Sequence, residues 1–127
     1  MKKYLCLGYY DVEKFKAMSP ADRQALVSQC PPRDAALHAT GRVLFAGALA
    51  DPGDWACLRP RNGKPVVTDG PYTEARELVG GLFMIEAADI TEAIAIASKH
   101  PAAELGEQVG WGIEILPIGH YIPGQAA

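Results

Sequence analysis

Short apolar runs along the chain alternate with segments of helical character. Runs rich in apolar and aromatic residues predict β-strands at residues 4–10, 42–49, 55–60, 64–68, 78–86 and 112–116. Two longer segments, residues 19–38 and 89–99, carry apolar residues at helical spacing and predict helices. The resulting order of β, α, β, hairpin, β, α and β favours an α+β fold, in which helices cover one face of a mostly antiparallel sheet.

The first helical segment is expected to be broken in its middle. Ser19 is a predicted N-cap, followed by proline at the first helical position. We expect the helix that carries Cys30 to end at residues 31–32, because two prolines donate no backbone hydrogen bonds. A second helical piece then begins at Pro32 and runs through His38, and Gly41 fits the position just after its end.

The second helical segment has clear start and stop signals. Asp89 is a predicted N-cap with Glu92 three residues later, which is a capping-box pattern, and Pro101 is expected to end the helix. Its predicted apolar stripe consists of Ile90, Ala93, Ile94 and Ala97.

The strands carry two further structural signals. Asn62 and Gly63 separate two short runs, and Asn-Gly in that setting predicts a β-hairpin. A sheet covered by helices on one side also leaves its other face in need of cover. We therefore expect a homodimer that packs two sheets face to face.

The densest cluster of constrained residue types lies at residues 66–74, and it suggests a candidate site. Asp69 precedes Gly-Pro, where a carboxylate can accept backbone N–H groups and form a turn, or can serve as a general base or ligand-orienting group. Tyr72, Glu74 and Glu86 are the candidate ligand-binding residues around it. His38 is the second candidate catalytic residue, because histidine titrates near neutral pH.

Gly80 and Gly81 open the strand that follows this cluster. They lack the spacing of a dinucleotide- or nucleotide-binding loop. A β-bulge or a close approach of the backbone is the favoured interpretation.

Composition and charge narrow the functional classes. The 127 residues predict a single domain over residues 1–127, with 49% hydrophobic and 21% charged residues. A formal net charge of −3 disfavours direct nucleic-acid binding. The apolar runs fall short of the roughly 20 residues that span a bilayer, and there is no secretory signal pattern, so we expect a cytoplasmic protein without membrane contact.

Cysteine and histidine usage predicts neither disulfides nor a metal site. Cys6, Cys30 and Cys57 are far apart and lack metal-ligand spacing, so reduced and mostly buried thiols are expected. The three histidines are also dispersed along the chain. No metal and no cofactor are predicted.

The central cluster, Asp69-Gly70-Pro71-Tyr72-Thr73-Glu74 with Gly80-Gly81 and the strand ending at Glu86, resembles the DGPF motif of the YCII-related family. The resemblance extends to the first strand, the helix from Asp89 and the closing strand. It implies a ferredoxin-like sandwich, here with an inserted hairpin, that assembles as a dimeric α/β barrel. The family's role is largely unassigned. Fusions to sigma-factor domains suggest a link to transcription initiation, and a His and an Asp in YCII-type relatives suggest an enzymatic role.

The chain departs from the family pattern in three places. Tyr72 stands where the motif has Phe, which adds a hydroxyl group. The YCII-type His position, counted back from the glycine that ends the first helical region, falls on Cys30. The YCII-type Asp position before a proline is occupied by His100. By this count both residues are absent, so YCII-type chemistry is not carried over.

Three functional hypotheses therefore remain open. The first is a small-molecule-binding or small catalytic protein with a pocket near residues 69–72 and His38, where any reaction is undetermined. The second is a protein-interaction module linked to transcription through protein contact. The third assigns residues 69–72 a purely structural role at a dimer interface.

Overall fold

A computed structural model describes residues 1–125 of the chain. Its six strands are β1 (Lys2–Asp11), β2 (Val43–Ala48), β3 (Ala56–Arg61), β4 (Lys64–Asp69), β5 (Glu77–Ala87) and β6 (Gly112–Pro117). Its α-helices are α1 (Val12–Ala17), α2 (Pro20–Val27), α3 (Cys30–His38), α4 (Ile90–Ala97) and α5 (Pro101–Glu104). Short 3₁₀ helices occupy Pro52–Asp54 and Glu107–Val109.

Four of the strands form one antiparallel sheet in the order β2-β5-β1-β6. With helices in both crossover connections, this is the ferredoxin-like α+β arrangement that the sequence predicts. Strands β3 and β4 pair only with each other and form the inserted hairpin. Asn62 and Gly63 have φ angles of 53° and 74°, which are the positive values that a two-residue hairpin turn requires.

The helix-facing side of the sheet carries the core. Cys6 is paired with Phe83 on one side and Ile115 on the other, and all three point toward the helices. Tyr4 and Ile85 form the next row along β1 and β5, and Ile85 is fully buried. These rows pack against α3 and α4, so burial of apolar side chains fixes the helices over this face.

The opposite face of the sheet is also apolar. Strand register places Phe45, Met84, Leu5 and Leu116 in one row across all four strands. Phe45 retains 45% of its accessible surface, whereas Met84 is buried. The face thus presents apolar side chains without a helical layer over them.

Pro31 and Pro101 lie in the first turn of a helix, whereas the sequence predicted that each ends one. The break in the first helical segment falls between Val27 and Cys30, so Cys30 belongs to α3, and Pro31 and Pro32 lie in its first turn. Pro101 likewise begins α5, while α4 ends at Ala97. The first N–H groups of a helix have no intrahelical partner, so proline costs little there.

The buried stripe of α4 also differs from the predicted one. Ala93, Ile96 and Ala97 face the core, whereas Ile90 and Ile94 are 43% and 51% exposed. The predicted capping contact is present, since the carboxylate of Asp89 accepts from the N–H of Glu92 at 2.9 Å.

Among the described residues, no helix is long and apolar enough to cross a membrane.

Candidate functional site

A cavity of about 810 Å³ opens between the sheet and helices α1 to α3. Its floor is a row of the smallest residues, because strand register places Ala48, Gly81 and Gly8 side by side on three neighbouring strands. They lie on the same face as the core residue Phe83, two residues along β5. Larger side chains in this row would occupy the space that the cavity holds open.

A β-bulge shapes one wall of the cavity. The pairing of β1 with β5 shifts after Gly8, so that Tyr9 pairs with Val79 and Gly80 is the extra residue. A Cβ atom on Gly80 would lie 2.9 Å from the ring of Tyr10, so only glycine lets that ring pack there. The predicted bulge and close approach at the paired glycines are both confirmed.

Most lining residues are apolar or small, and a limited set carries chemistry. The polar, charged and aromatic side chains that line the cavity include Tyr10, Lys16, Arg23, Asp34, His38, Asp51, His100 and Trp111. They come from β1, α1, α2, α3 and the segments around Asp51, His100 and Trp111. The cavity is therefore assembled from residues that are dispersed along the chain.

Three titratable groups of this lining are held in their neutral forms. Burial raises the pKa of Tyr10, and the carboxylate of Asp51 raises it further. Burial and Asp34 raise the pKa of the Cys30 thiol, partly opposed by Arg33. Burial lowers the pKa of His100, although Asp34 acts in the opposite direction. Since each shift favours the uncharged form, the site presents neutral hydrogen-bonding groups.

His100 is held by two contacts. Its Nδ1 atom accepts a hydrogen bond from the N–H of Ala102 at 3.0 Å, which makes His100 the N-cap of α5. Its ring stacks on Phe83, with a centroid distance of 4.8 Å and an interplanar angle of 5°. His100 therefore caps α5 through a lone pair while its ring packs against the core.

Arg23 forms a basic part of the wall. Its Nη2 atom donates to the carbonyl oxygens of Phe15 and Met18, each at 3.4 Å, and its guanidinium lies 5.0 Å from the centre of the Phe15 ring. Its Nε atom is buried and has no hydrogen-bond partner within residues 1–125. The arginine thus joins α1 to α2 beside the cavity.

Of the sequence-predicted site residues, only His38 lines the cavity, from the last turn of α3. Asp69 ends β4, opposite Ala56, and its side chain is exposed. Tyr72 is 59% exposed, and Glu74 is also on the surface. The structure therefore does not bring these three residues together with His38, and the functional roles assigned to them stay predictions.

The turn after Asp69 is held by backbone contacts. The N–H of Gly70 donates to the carbonyl of Trp55 at 2.8 Å, and a Cβ atom on Gly70 would lie 2.7 Å from the Cβ of Trp55. The Gly70–Pro71 peptide bond is cis. Arg59 donates to the carbonyl of Tyr72 at 3.2 Å and lies 4.0 Å from the centre of its ring. The chain bends here, but within residues 1–125 no backbone N–H donates to the Asp69 carboxylate.

Glu86 lies at the far end of β5 and forms an ion pair with Lys3, at 3.4 Å. Arg42 donates to the backbone carbonyl of Glu86 at 3.2 Å and to the carboxylate of Glu92 at 2.6 Å. Arg42 therefore joins the β2 end of the sheet to the start of α4.

Sequence reasoning missed Asp34, Tyr10 and Arg23 as site residues. No local motif surrounds them, because their proximity depends on how α1 to α3 pack over the sheet. The available signal was the set of glycines and alanines in β1, β2 and β5, which leaves space on a face otherwise lined by large side chains.

The cysteines behave as the sequence predicts. All three are free, Cys6 and Cys57 are buried, and Cys30 is half-buried. Burial raises the pKa of Cys6 to about 11, so its thiol is unreactive at neutral pH. Within residues 1–125, no group of three or more His, Cys, Asp or Glu residues is placed to hold a metal ion.

Comparison with known proteins gives a family match and one partial relative. A family model described as a YCII-related domain matches residues 2–110. A protein of Rhizobium meliloti (strain 1021), described as uncharacterised, is 31% identical over 70 residues. These residues make up 55% of this chain and 54% of that protein, so the chain spans about half the length of the curated relative it matches.

Proposed function

Since this chain belongs to the YCII-related family and holds an open cavity between its sheet and its helices, we propose that it binds a small organic molecule in that cavity. The observation that carries the proposal is the 810 Å³ space with its row of glycine and alanine residues. Ligand pockets commonly enclose roughly 300–1,000 Å³ and combine apolar walls with a few polar groups.

The chemistry of the walls favours a ligand with an apolar body and few charges. Tyr10, Cys30 and His100 are neutral, and Trp111 adds an aromatic surface. Lys16 and Arg23 are balanced by Asp34 and Asp51, so the lining does not favour a strongly charged ligand of either sign. His38 is the predicted acid or base if the bound molecule also reacts.

The test is to fill the cavity without unfolding the protein. Ala48→Leu places a larger side chain on the floor row, on an edge strand where the backbone can accommodate it. Ala21→Leu adds the same atoms to an exposed position of α2, outside the cavity, and serves as the matched control. A metabolite library is screened by thermal shift against both variants and the wild type.

Compounds that stabilise the wild type and Ala21→Leu but not Ala48→Leu would support the proposal that ligands bind in the cavity. Asp69→Ala is included to compare the predicted loop with the cavity. The proposal is wrong if Ala48→Leu keeps the ligand response and Asp69→Ala loses it.

The homodimer remains a proposal that rests on the uncovered face of the sheet. Phe45, Leu5 and Leu116 share one apolar row on the side away from the helices, which a second copy of the sheet would cover. Phe45→Asp would place a charge in that row. We expect the wild type to be dimeric by light scattering and Phe45→Asp to be monomeric. A monomeric wild type at micromolar concentration contradicts the proposal.

Protein binding is a second candidate function, favoured by the hairpin. Leu58 and Val67 are cross-strand neighbours that are 63% and 69% exposed. Any link to transcription would use such a protein contact. Charged variants of the Leu58–Val67 pair should then lose a partner recovered from the native host, and should retain ligand binding in the cavity.

A cytoplasmic location is proposed from the thiols. All three cysteines are free, and free thiols persist in a reducing compartment. Fractionation of the native host would test this proposal.

A further inference from the structure

His100 has one nitrogen whose state is set by the backbone. The N–H of Ala102 donates to Nδ1 at 3.0 Å, so Nδ1 carries a lone pair and no proton. In a neutral imidazole the proton must then be on Nε2, which makes Nε2 a donor. Stacking of the ring on Phe83 holds it in this orientation.

Protonation of His100 is disfavoured for the same reason. A proton on Nδ1 would face the N–H of Ala102 and remove the N-cap of α5. Burial lowers the pKa of this ring, and Asp34 is the charged group that opposes the shift. His100 therefore stays neutral near pH 7 and cannot accept a proton at Nε2 without a change of tautomer.

The Nε2–H group has no hydrogen-bond partner in the part of the chain that the structure describes, although His100 lines the cavity. The Nε2 atom is not fully buried, so this donor is accessible from the cavity. A ligand oxygen in the cavity would satisfy it.

Asp34 supplies an acceptor in the same cavity. It lies on α3, one residue after Arg33, whose Nε atom pairs with the carboxylate of Glu104 on α5 at 3.2 Å. This ion pair ties the helix that carries Asp34 to the helix that His100 caps. The His100 donor and the Asp34 acceptor thus belong to two helical segments that an ion pair connects.

We propose that the cavity binds a neutral molecule with both a carbonyl and a hydroxyl group, in which the carbonyl oxygen accepts from Nε2–H of His100 and the hydroxyl group donates to the carboxylate of Asp34. The inference rests on the proposed function, because it specifies the ligand class of the same cavity. A free carboxylate on the ligand is disfavoured, since it would face Asp34 and meet a neutral His100. His100 acts here as a binding donor and does not transfer a proton.

The first test needs no ligand. Long-range ¹H–¹⁵N spectra of the histidine-labelled protein report which ring nitrogen carries the proton, with His38 and His120 as internal references. We expect His100 to show the Nε2–H tautomer at neutral pH. A proton on Nδ1, or a charged ring at pH 7, overturns this inference and leaves the proposed cavity function untouched.

The second test uses matched probes. meta-Hydroxyacetophenone carries both groups, meta-ethylphenol lacks the carbonyl oxygen, and acetophenone lacks the hydroxyl group. Binding is followed by amide shifts of residues that line the cavity. We expect the first probe to bind about three- to tenfold more tightly than the other two, which is the effect of one net hydrogen bond.

His100→Asn is the matched variant, because asparagine is a good N-cap that can still accept from Ala102 but has no Nε2–H group. It should fold normally and lose the preference for the carbonyl probe, whereas Asp34→Ala should lose the preference for the hydroxyl group. Equal binding of all three probes to the wild type overturns the inference alone. If no probe shifts any cavity residue, the proposed function fails as well.

Discussion

The loop at residues 69–74 and the cavity beneath α1 to α3 differ in how their residues are arranged in the sequence. The loop is a continuous motif, and its strongest constraints concern the backbone: Gly70 packs against Trp55, and Arg59 holds Tyr72. The cavity has no continuous motif, yet it gathers His38, His100 and Asp34. A dense sequence motif can thus mark a turn with a tightly constrained backbone. The groups suited to ligand binding are brought together only by folding.

The largest expected contrast is between the core beneath the cavity and the exposed hairpin that leads into the loop. Phe83 is 2% exposed and supports His100, so Phe83→Ala should lower the free energy of unfolding by about 3–5 kcal/mol. Leu58→Ala in the hairpin removes an exposed side chain and should change it by less than about 0.5 kcal/mol. Urea denaturation measures both. Equal losses would mean that the hairpin packs more tightly than its exposure indicates.

The next prediction tests whether close packing of the backbone at Gly70 stabilises the loop. Gly70→Ala places a Cβ atom against Trp55 and should destabilise the protein by about 1–3 kcal/mol, the usual cost of overpacking. Gly119→Ala meets no atom within 4 Å and serves as the control. Thermal unfolding distinguishes the two variants. A Gly70→Ala protein as stable as the control would show that the close approach to Trp55 is not a constraint.

Near pH 6, the pH dependence of stability on the cavity side should come from His100. Its pKa lies below the ordinary value of 6.5 in the folded protein, so the unfolded chain binds this proton first. The contribution of His100 to stability is therefore complete above pH 6.5 and declines as the pH falls toward the folded pKa, with a slope of at most about 1.4 kcal/mol per pH unit.

The charged group that faces His100 is Asp34, and it reduces this effect without reversing it. His100→Asn should flatten the slope between roughly pH 5 and pH 6.5, where histidine titrates. Denaturant titrations of the two proteins across this range provide the measurement. Identical slopes would contradict a neutral, buried His100.

The smallest expected effect is that of the Asp69 carboxylate. Asp69 is exposed, and within residues 1–125 its carboxylate receives no backbone hydrogen bond, so Asp69→Asn should change stability by less than about 0.5 kcal/mol. Ligand binding in the cavity should also be unchanged, whereas Asp34→Asn should weaken it. Isothermal titration with a cavity ligand compares the two. Loss of binding in Asp69→Asn alone would show that the binding site lies in the loop and not in the cavity.

The sequence carried more information about the fold than about the site. Strand runs, the Asn62-Gly63 turn and the Asp89 cap depend on local physics, and the structure confirms them. Pro31 and Pro101 were misassigned because proline is compatible with both the end and the first turn of a helix. The choice between them depends on which residues the neighbouring core requires.

The cavity could not be predicted because it depends on long-range register. Gly8, Ala48 and Gly81 are far apart in the chain and become neighbours only when β1, β2 and β5 pair. The tautomer of His100 likewise depends on Ala102 and its ring orientation on Phe83, which a local pattern does not reveal. A site whose residues are brought together by tertiary contacts can be recognised only in the folded structure.

A map of backbone amide shifts with neutral, carbonyl-bearing fragments at millimolar concentration would test most directly whether the cavity is the binding site. We expect binding in the cavity to shift amides at residues 8–10, 46–51, 80–83 and 100–102, which line it, and we expect these shifts to be lost in Ala48→Leu. Shifts clustered at residues 69–74 and unchanged by Ala48→Leu would contradict the proposal that ligands bind in the cavity.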